Sequence, residues 1–159
     1  MVTEFVKQFL TLSKPPKFLF ACCRNPPAAT TLNEIAKSNS SVYVVELDVT
    51  KQETIEKAKS HVASIVGPEG LNLLINNSGL VNAQRIGDVT REDMAKCYEV
   101  NAIGPLMVAQ TFLPLFRQAA GQQSSEPMSC SKAAIINIST GVASITEVHQ
   151  GECMRTERQ

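Results

Sequence analysis

Residues 71–79 read Leu-Asn-Leu-Leu-Ile-Asn-Asn-Ser-Gly. Leu71, Leu73, Leu74 and Ile75 form a near-continuous apolar run, the pattern of a parallel strand covered by helices on both faces. Two asparagines, a serine and a glycine follow at once, which sets amide and hydroxyl groups at the carboxyl edge of a sheet. Doubly wound α/β folds bind their ligands at that edge. The same four residues also suit an ordinary turn, so the rest of the chain must decide.

Working outward, helix and strand patterns alternate. Phe5, Val6, Phe9 and Leu10 share one helical face, which predicts an amphipathic helix over 2–12, ended by Pro15 and Pro16. Lys17 to Cys23 reads as a short buried strand, 28–38 as a helix with Leu32, Ile35 and Ala36 inward, and Ser41 to Leu47 as a β-branched strand. Thr50 with Glu53 has capping-box spacing for a helix reaching Val66, striped by Ile55, Ala58, Val62 and Ile65. Gly67, Pro68 and Gly70 break it before the strand at 71–76.

Thr90 with Asp93 then opens a helical region, interrupted near 101–105 and running to about Arg117. Leu106, Val108, Ala109, Phe112, Leu113 and Phe116 supply its sheet-facing residues; 119–132 reads as a polar loop, and Ala133 to Ser139 as a fourth, buried strand. Strands separated by helix-length segments imply βαβ units with right-handed crossovers. The fold class is α/β, a doubly wound parallel sheet.

Composition narrows the function. The 159 residues suit one domain, residues 1–147, with 148–159 a tail that loses apolar periodicity. Formal net charge is zero with 19% charged residues, which leaves no electrostatic footprint for nucleic acid or an anionic membrane. No apolar run nears the ~18 residues of a membrane span, and the N-terminus carries Glu4 and Lys7 without a cleavage site, so a cytoplasmic protein is expected. The five cysteines include no C-x-x-C pair or zinc spacing, and reduced thiols are expected with no metal.

Several features now fall in order. Arg24 closes the strand at 17–23, where a dinucleotide-binding fold meets the adenosine ribose and an arginine suits a 2′-phosphate. Asp48 and Val49 close the next strand, Asn76, Asn77, Ser78 and Gly79 the third, and Ser139 and Thr140 the fourth, while Asn101 interrupts the long helix. Each has a plainer reading: Arg24 a solvated charge, Asp48 a helix-approach residue, Ser139 a turn residue, Asn101 a bridge between backbone groups at a kink.

Together they resemble the short-chain dehydrogenase/reductase family over about residues 3–147, in a carbonyl-reductase-like branch that includes sniffer and C-factor proteins. The family's NNAG appears as Asn76-Asn77-Ser78-Gly79, its adenine-pocket Asp-Val as Asp48-Val49, its catalytic asparagine as Asn101, and its hydroxyl-bearing strand end as INIST. The resemblance implies NADP(H) as cofactor, a small-molecule carbonyl substrate and association into oligomers. It assigns cofactor contacts to Arg24, Asp48, Val49 and Asn76 to Gly79, a proton-relay water to Asn101, and carbonyl orientation to Thr140 or Ser139.

The departures are as informative. The family opens with a strand and a TGxxxGxG loop that holds the pyrophosphate at a helix N-terminus; no glycine precedes Gly67 here, and the first residues already match the following helix. The family's Tyr-x-x-x-Lys pair has no counterpart, because Tyr43 and Tyr98 have Leu47 and Ala102 four residues on. Ser129 to Ala134 imitates the lysine segment but precedes the INIST strand, so Lys132 reads as a solvated loop residue. The expectation is an incomplete dinucleotide-binding domain of marginal stability with little or no activity. The alternative is a non-catalytic isoform or gene remnant that associates with longer relatives.

Overall fold

The structure is a computed structural model that describes residues 2–85, 87–122, 127 and 129–141. The chain runs α1 (Val2–Leu10), β1 (Leu19–Cys23), α2 (Thr30–Ser38), β2 (Val42–Glu46), α3 (Gln52–Val66), β3 (Leu73–Asn76), α4 (Arg91–Tyr98), α5 (Gly104–Gln122) and β4 (Ala134–Asn137). A π-helical turn, Glu99–Ile103, makes α4 and α5 one continuous rod. Helices and strands alternate as expected, and both strand pairs are parallel: β1 with β2, β3 with β4.

Those pairs form two separate two-stranded sheets; β1 and β3 are not hydrogen-bonded to each other. The half-sheets nevertheless share a core. Phe18, Phe20 and Cys22 of the β1 segment, Tyr43, Val45 and Leu47 of the β2 segment, and Leu74 of β3 pack with Ile55, Ala58 and Val62 of α3 and Val108, Phe112 and Phe116 of α5. Alternate residues face the other way. Leu19 and Ala21, with Val42 and Val44, meet Val2, Val6 and Leu10 of α1 and Leu32 of α2. The period-two alternation places one apolar layer on each side of the β1–β2 pair.

The two halves are pinned at both ends. An ion pair joins Lys17, before β1, to Glu69, before β3, at the amino edge. At the opposite edge Val49, beyond β2, touches Gly104, while the Asn76 amide at the end of β3 reaches the neighbouring Pro105 carbonyl at 3.4 Å. Strand starts meet strand starts and strand ends meet strand ends, so all four strands run the same way. Gly70 tightens the lower edge: its φ is +73°, and a Cβ there would lie 2.4 Å from the Leu115 carbonyl oxygen.

Several sequence expectations are corrected. Thr50 and Glu53 form no capping box: Lys51 is the N-cap of α3, without a side-chain cap bond, because the Thr50 hydroxyl turns back to Asp48 at 2.8 Å. Thr54 takes up the local backbone instead, accepting from Asp48 N–H at 3.0 Å and reaching the Asp48 and Lys51 carbonyls. The Thr90–Asp93 spacing, by contrast, is a complete capping box. Helix α5 continues to Gln122, past Arg117, because Ala119 still faces the core.

Leu106 and Leu113 lie on the outer face of α5, at 58% and 37% exposure, rather than against the sheet. The strand at β4 is not buried: Ile135, Ile136 and Ile138 are exposed, since only β3 flanks it among the described residues. The expected strand limits also contract, to 19–23, 42–46, 73–76 and 134–137. The tail expected at 148–159 lies outside the described residues.

Candidate functional site

Three of the strands deliver their following residues to the carboxyl edge. Asp48 and Val49 follow β2, Asn77 to Gly79 follow β3, and Ser139 and Thr140 follow β4. The N-terminus of α5 holds the first two together. Gly104 is buried against Val49 so closely that a Cβ would sit 2.8 Å from Val49 Cβ and 2.9 Å from its Cγ2. The Asn76 side chain, 8% exposed, donates to Asn137 Oδ1 at 2.9 Å across the β3–β4 ladder. That pairing satisfies a polar group that burial would otherwise penalise.

Asn101 lies in the π-helical turn, a local irregularity that recurs at functional sites. Its amide grips the backbone of Leu80 from both sides, Oδ1 accepting from the Leu80 N–H at 2.8 Å and Nδ2 donating to the Leu80 carbonyl at 2.7 Å. The bridging of backbone groups at a kink is therefore present. It fixes the segment just beyond Gly79, where an added Cβ would lie 3.9 Å from the same Asn101 oxygen. One amide N–H and one carbonyl lone pair of Asn101 stay unused by these two bonds.

Asp48 and Arg24 share one corner. The Asp48 carboxylate is half-buried and accepts from both the N–H and the hydroxyl of Thr50, at 3.0 and 2.8 Å. Partial burial works against its charge, but the Thr50 hydrogen bonds, with Lys51 and Arg24 nearby, outweigh it and hold the carboxyl below its ordinary range. Arg24 is exposed beyond the end of β1 and makes no ion pair among the described residues. A cationic guanidinium is thus presented to solvent beside an aspartate already satisfied by its own turn.

Asn77 differs from its neighbours. Its side-chain oxygen is buried with no hydrogen-bond partner among the described residues, whereas Ser78 and Gly79 are exposed. Ser139 and Thr140 are exposed at the end of β4, with both hydroxyls at the rim. Lys132 sits in the turn before β4, at the amino edge and away from these groups, and it is half-buried rather than solvated. No group of three metal-ligating side chains forms among the described residues. A wide, shallow cleft of about 550 Å³ runs along the outer edge of β2, lined by Lys37, Tyr43 and His61 among others, and none of the rim residues borders it.

Sequence reasoning missed two members of this site. Gly104 was hidden because a glycine inside a helix carries no signal of what presses on it, although the GP pair after Asn101 marked a change in the helix. Asn137 lies inside the INIST strand end. The signal for its role was present: an asparagine closes each of two apolar strands, Asn76 and Asn137, and parallel register sets them side by side.

Known proteins share this fold. The family model for short chain dehydrogenase matches residues 9–151. The NADPH-bound carbonyl reductase from chicken fatty liver superposes with a TM-score of 0.85 at 41% identity, covering 91% of this chain and 55% of that one. The carbonyl reductase Sniffer of D. melanogaster also gives 0.85, at 34% identity, over 89% of this chain and 57% of its own. An uncharacterised oxidoreductase of Schizosaccharomyces pombe is 36% identical over 106 residues, 66% of this chain and 41% of the relative. The chain spans about two-fifths of the length of such curated relatives. No helix among the described residues is long and apolar enough to cross a membrane.

Proposed function

Because the chain belongs to the short-chain dehydrogenase family, we propose that it carries the carboxyl-edge half of an NADPH site of the carbonyl-reductase type. The observation that supports this best is the single rim onto which Asp48, Val49, Asn77, Ser139 and Thr140 project, with Arg24 unpaired at one corner. The residues fit the adenosine end of the cofactor. An exposed guanidinium suits a 2′-phosphate, and the orphaned Asn77 oxygen is an acceptor that a bound donor would satisfy.

In this reading Arg24 binds the 2′-phosphate, Asp48 and Val49 frame the adenine, and Asn76 to Gly79 border the rest of the cofactor. NADPH, when bound, supplies a hydride for a small-molecule carbonyl carbon. Thr140 or Ser139 donates a hydrogen bond to the carbonyl oxygen; the threonine's extra methyl restricts its χ1 and hence its aim. Asn101 positions the Leu80 segment and keeps one donor and one acceptor for a relay water. The 159 residues contain no Tyr-x-x-x-Lys pair to act as proton donor, so this chain alone has little or no turnover.

Fluorescence titration of NADPH into the purified chain tests the reading. NADPH binds and quenches, NADH binds more weakly, and Arg24→Ala removes the difference. Equal affinity for both cofactors, or no binding of either, sinks the assignment. NADPH oxidation with quinone or aldehyde substrates stays at the no-enzyme level; turnover above it contradicts the inactivity.

A second, non-catalytic reading has its own observation. Met94, Tyr98 and Leu106, at 59%, 64% and 58% exposure, leave apolar side chains in solvent along the α4–α5 rod. Exposed apolar side chains along a helical rod suit packing against another helix. In this reading the chain is a cytoplasmic, regulatory partner of full-length relatives. Co-expression with such a relative yields a mixed oligomer that Leu106→Glu disrupts; recovery of the relative alone counts against it.

A further inference from the structure

The shallow cleft along the outer edge of β2 touches none of the rim residues. Its floor is Val42, Tyr43 and Val44, flanked by Asn33 and Lys37 of α2 on one side and His61 of α3 on the other. Among the described residues β2 pairs only with β1. Leu19 N–H donates to the Ser41 carbonyl, and Leu47 N–H to the Cys23 carbonyl. A parallel strand turns its polar groups alternately to opposite edges, so Ser41, Tyr43, Val45 and Leu47 face β1 while Val42, Val44 and Glu46 face outward. The Val42 N–H is already donated to the Asn39 carbonyl at 3.0 Å. The outer edge therefore offers the Val42 carbonyl and both backbone groups of Val44 and of Glu46.

These groups are complementary to themselves. Where two β2 strands lie antiparallel about a twofold axis at Val44, each Val44 exchanges both bonds with its counterpart, and each Glu46 N–H meets the Val42 carbonyl of the other strand. The occupied Val42 N–H ends the ladder there. Side chains follow the same register. Val42 and Val44 pack toward α2, Glu46 shares their face by the period-two alternation, and Lys37 of α2 lines the cleft beside Val42. Glu46 of a second copy is set opposite Val42 and so comes to Lys37. Both side chains are exposed, and neither makes an ion pair among the described residues. The twofold repeats the contact, so opposite charges meet at both ends of the ladder. On the other face half-buried Tyr43 stands opposite Val45 of the second copy, an aromatic–β-branched pair of the kind that stabilises antiparallel strands.

We propose that the outer edge of β2 is a self-association surface, on which two copies of this chain join their β2 strands antiparallel about Val44, clasped at each end by a Lys37–Glu46 pair. A bare strand edge is a template for pairing with any extended chain. What selects a second copy is the side-chain register: the incoming strand must carry an acid against Lys37 and a β-branched residue against Tyr43, and β2 itself supplies both. The contact is isologous and uses up the same edge on both copies, so it closes as a dimer. It lies apart from the α4–α5 rod and from the rim. The inference rests on ladder phase and charge, and stands whether or not the rim binds NADPH.

The test uses the whole 159-residue chain. Sedimentation equilibrium gives the dimer dissociation constant, and amide hydrogen exchange at low and high protein concentration gives the place of contact. As concentration rises through that constant, the Val44 and Glu46 amides slow at least about tenfold more than those of Tyr43 and Val45, which are bonded to β1 in the single chain as well. Glu46→Lys and Lys37→Glu each weaken the dimer on the order of tenfold, because each turns two exposed attractions into repulsions, and the double exchange restores it. A chain that stays monomeric up to its solubility overturns the proposal. So does a dimer whose double exchange is as weak as the single variants, or one that Leu106→Glu breaks and the charge variants do not. Val44 and Glu46 amides protected equally at every concentration assign the edge to a cover within the same chain, and likewise overturn it.

Discussion

Replacing Gly104 with alanine puts two physical effects in opposition, and the structure says which wins. The backbone at Gly104 is ordinary right-handed helix, φ −52° and ψ −56°, so alanine meets no conformational strain there. Propensity and loss of unfolded-state freedom together favour alanine by about 0.4–1 kcal/mol. Against this, the new methyl would lie 2.8 Å from Val49 Cβ, 2.9 Å from its Cγ2 and 3.1 Å from its carbonyl oxygen. Carbon atoms pack at about 3.5–4.0 Å, so α5 and the end of β2 must separate by roughly 0.7–1.2 Å. Two of the three clashing atoms belong to stiff groups, a backbone oxygen and a β-branched Cβ, and overpacking of this kind costs about 1–3 kcal/mol. The net is a loss of roughly 1–2 kcal/mol, read as a lower urea midpoint at unchanged m-value. Val49→Ala removes the 2.9 Å contact and leaves the 2.8 Å one, so in a double-mutant cycle it recovers only part of the loss, on the order of 0.5–1 kcal/mol. A Gly104→Ala protein as stable as the parent, or more stable, would show that α5 does not press on the rim and would refute the reasoning.

Three further outcomes follow from the same coordinates. Asn101→Ala removes both hydrogen bonds to Leu80 at an exposed site, which costs about 1 kcal/mol or less globally but frees the Leu80 amide; hydrogen exchange there accelerates while the core of α5 is unchanged, and uniform acceleration contradicts the local role. Asp48 has a folded pKa below its unfolded value of about 3.9, so its contribution to stability is present above that pH and is lost as pH falls through the lower folded value. Thr50→Ala removes the hydroxyl bond and brings the two values closer, so the acid loss of stability in urea titrations becomes shallower; an unchanged acid limb counts against the Thr50 cause. Burial, with a smaller effect from Cys23, raises the Cys22 thiol to about 12, while Cys130 is exposed. Mass spectrometry after brief iodoacetamide treatment at pH 8 finds Cys130 modified and Cys22 intact, and early modification of Cys22 would mean that β1 opens readily.

The fold was legible where apolar period and local chemistry agreed. Runs such as LLIN and VYVVE announce parallel strands, and Thr90 with Asp93 announces a helix start, because each signal lies within a few residues. It was illegible where a distant neighbour decided. Thr50 has the residues for a cap, yet Asp48 two positions back offers its hydroxyl a closer partner, so the motif was right and its use wrong. Leu106 and Val108 are both apolar and two residues apart on one helix, and only the position of the sheet tells which is buried. The edge on which these residues lie was legible because a parallel sheet sends every strand end to one side, and their role there is the proposal made above. What strand ends cannot say is how the halves are spaced. The sequence expectation was an incomplete domain of marginal stability, with no statement of how its strands pair. The structure shows β1–β2 and β3–β4 as separate two-stranded sheets held on one core by α3 and α5. An unsatisfied buried amide costs on the order of 1–3 kcal/mol against a domain stability of ~5–15 kcal/mol, so an unshared strand edge persists only where water reaches it. Leu73 to Ile75 are only half-buried, so water reaches that edge of β3 and offsets the cost of its unshared backbone groups.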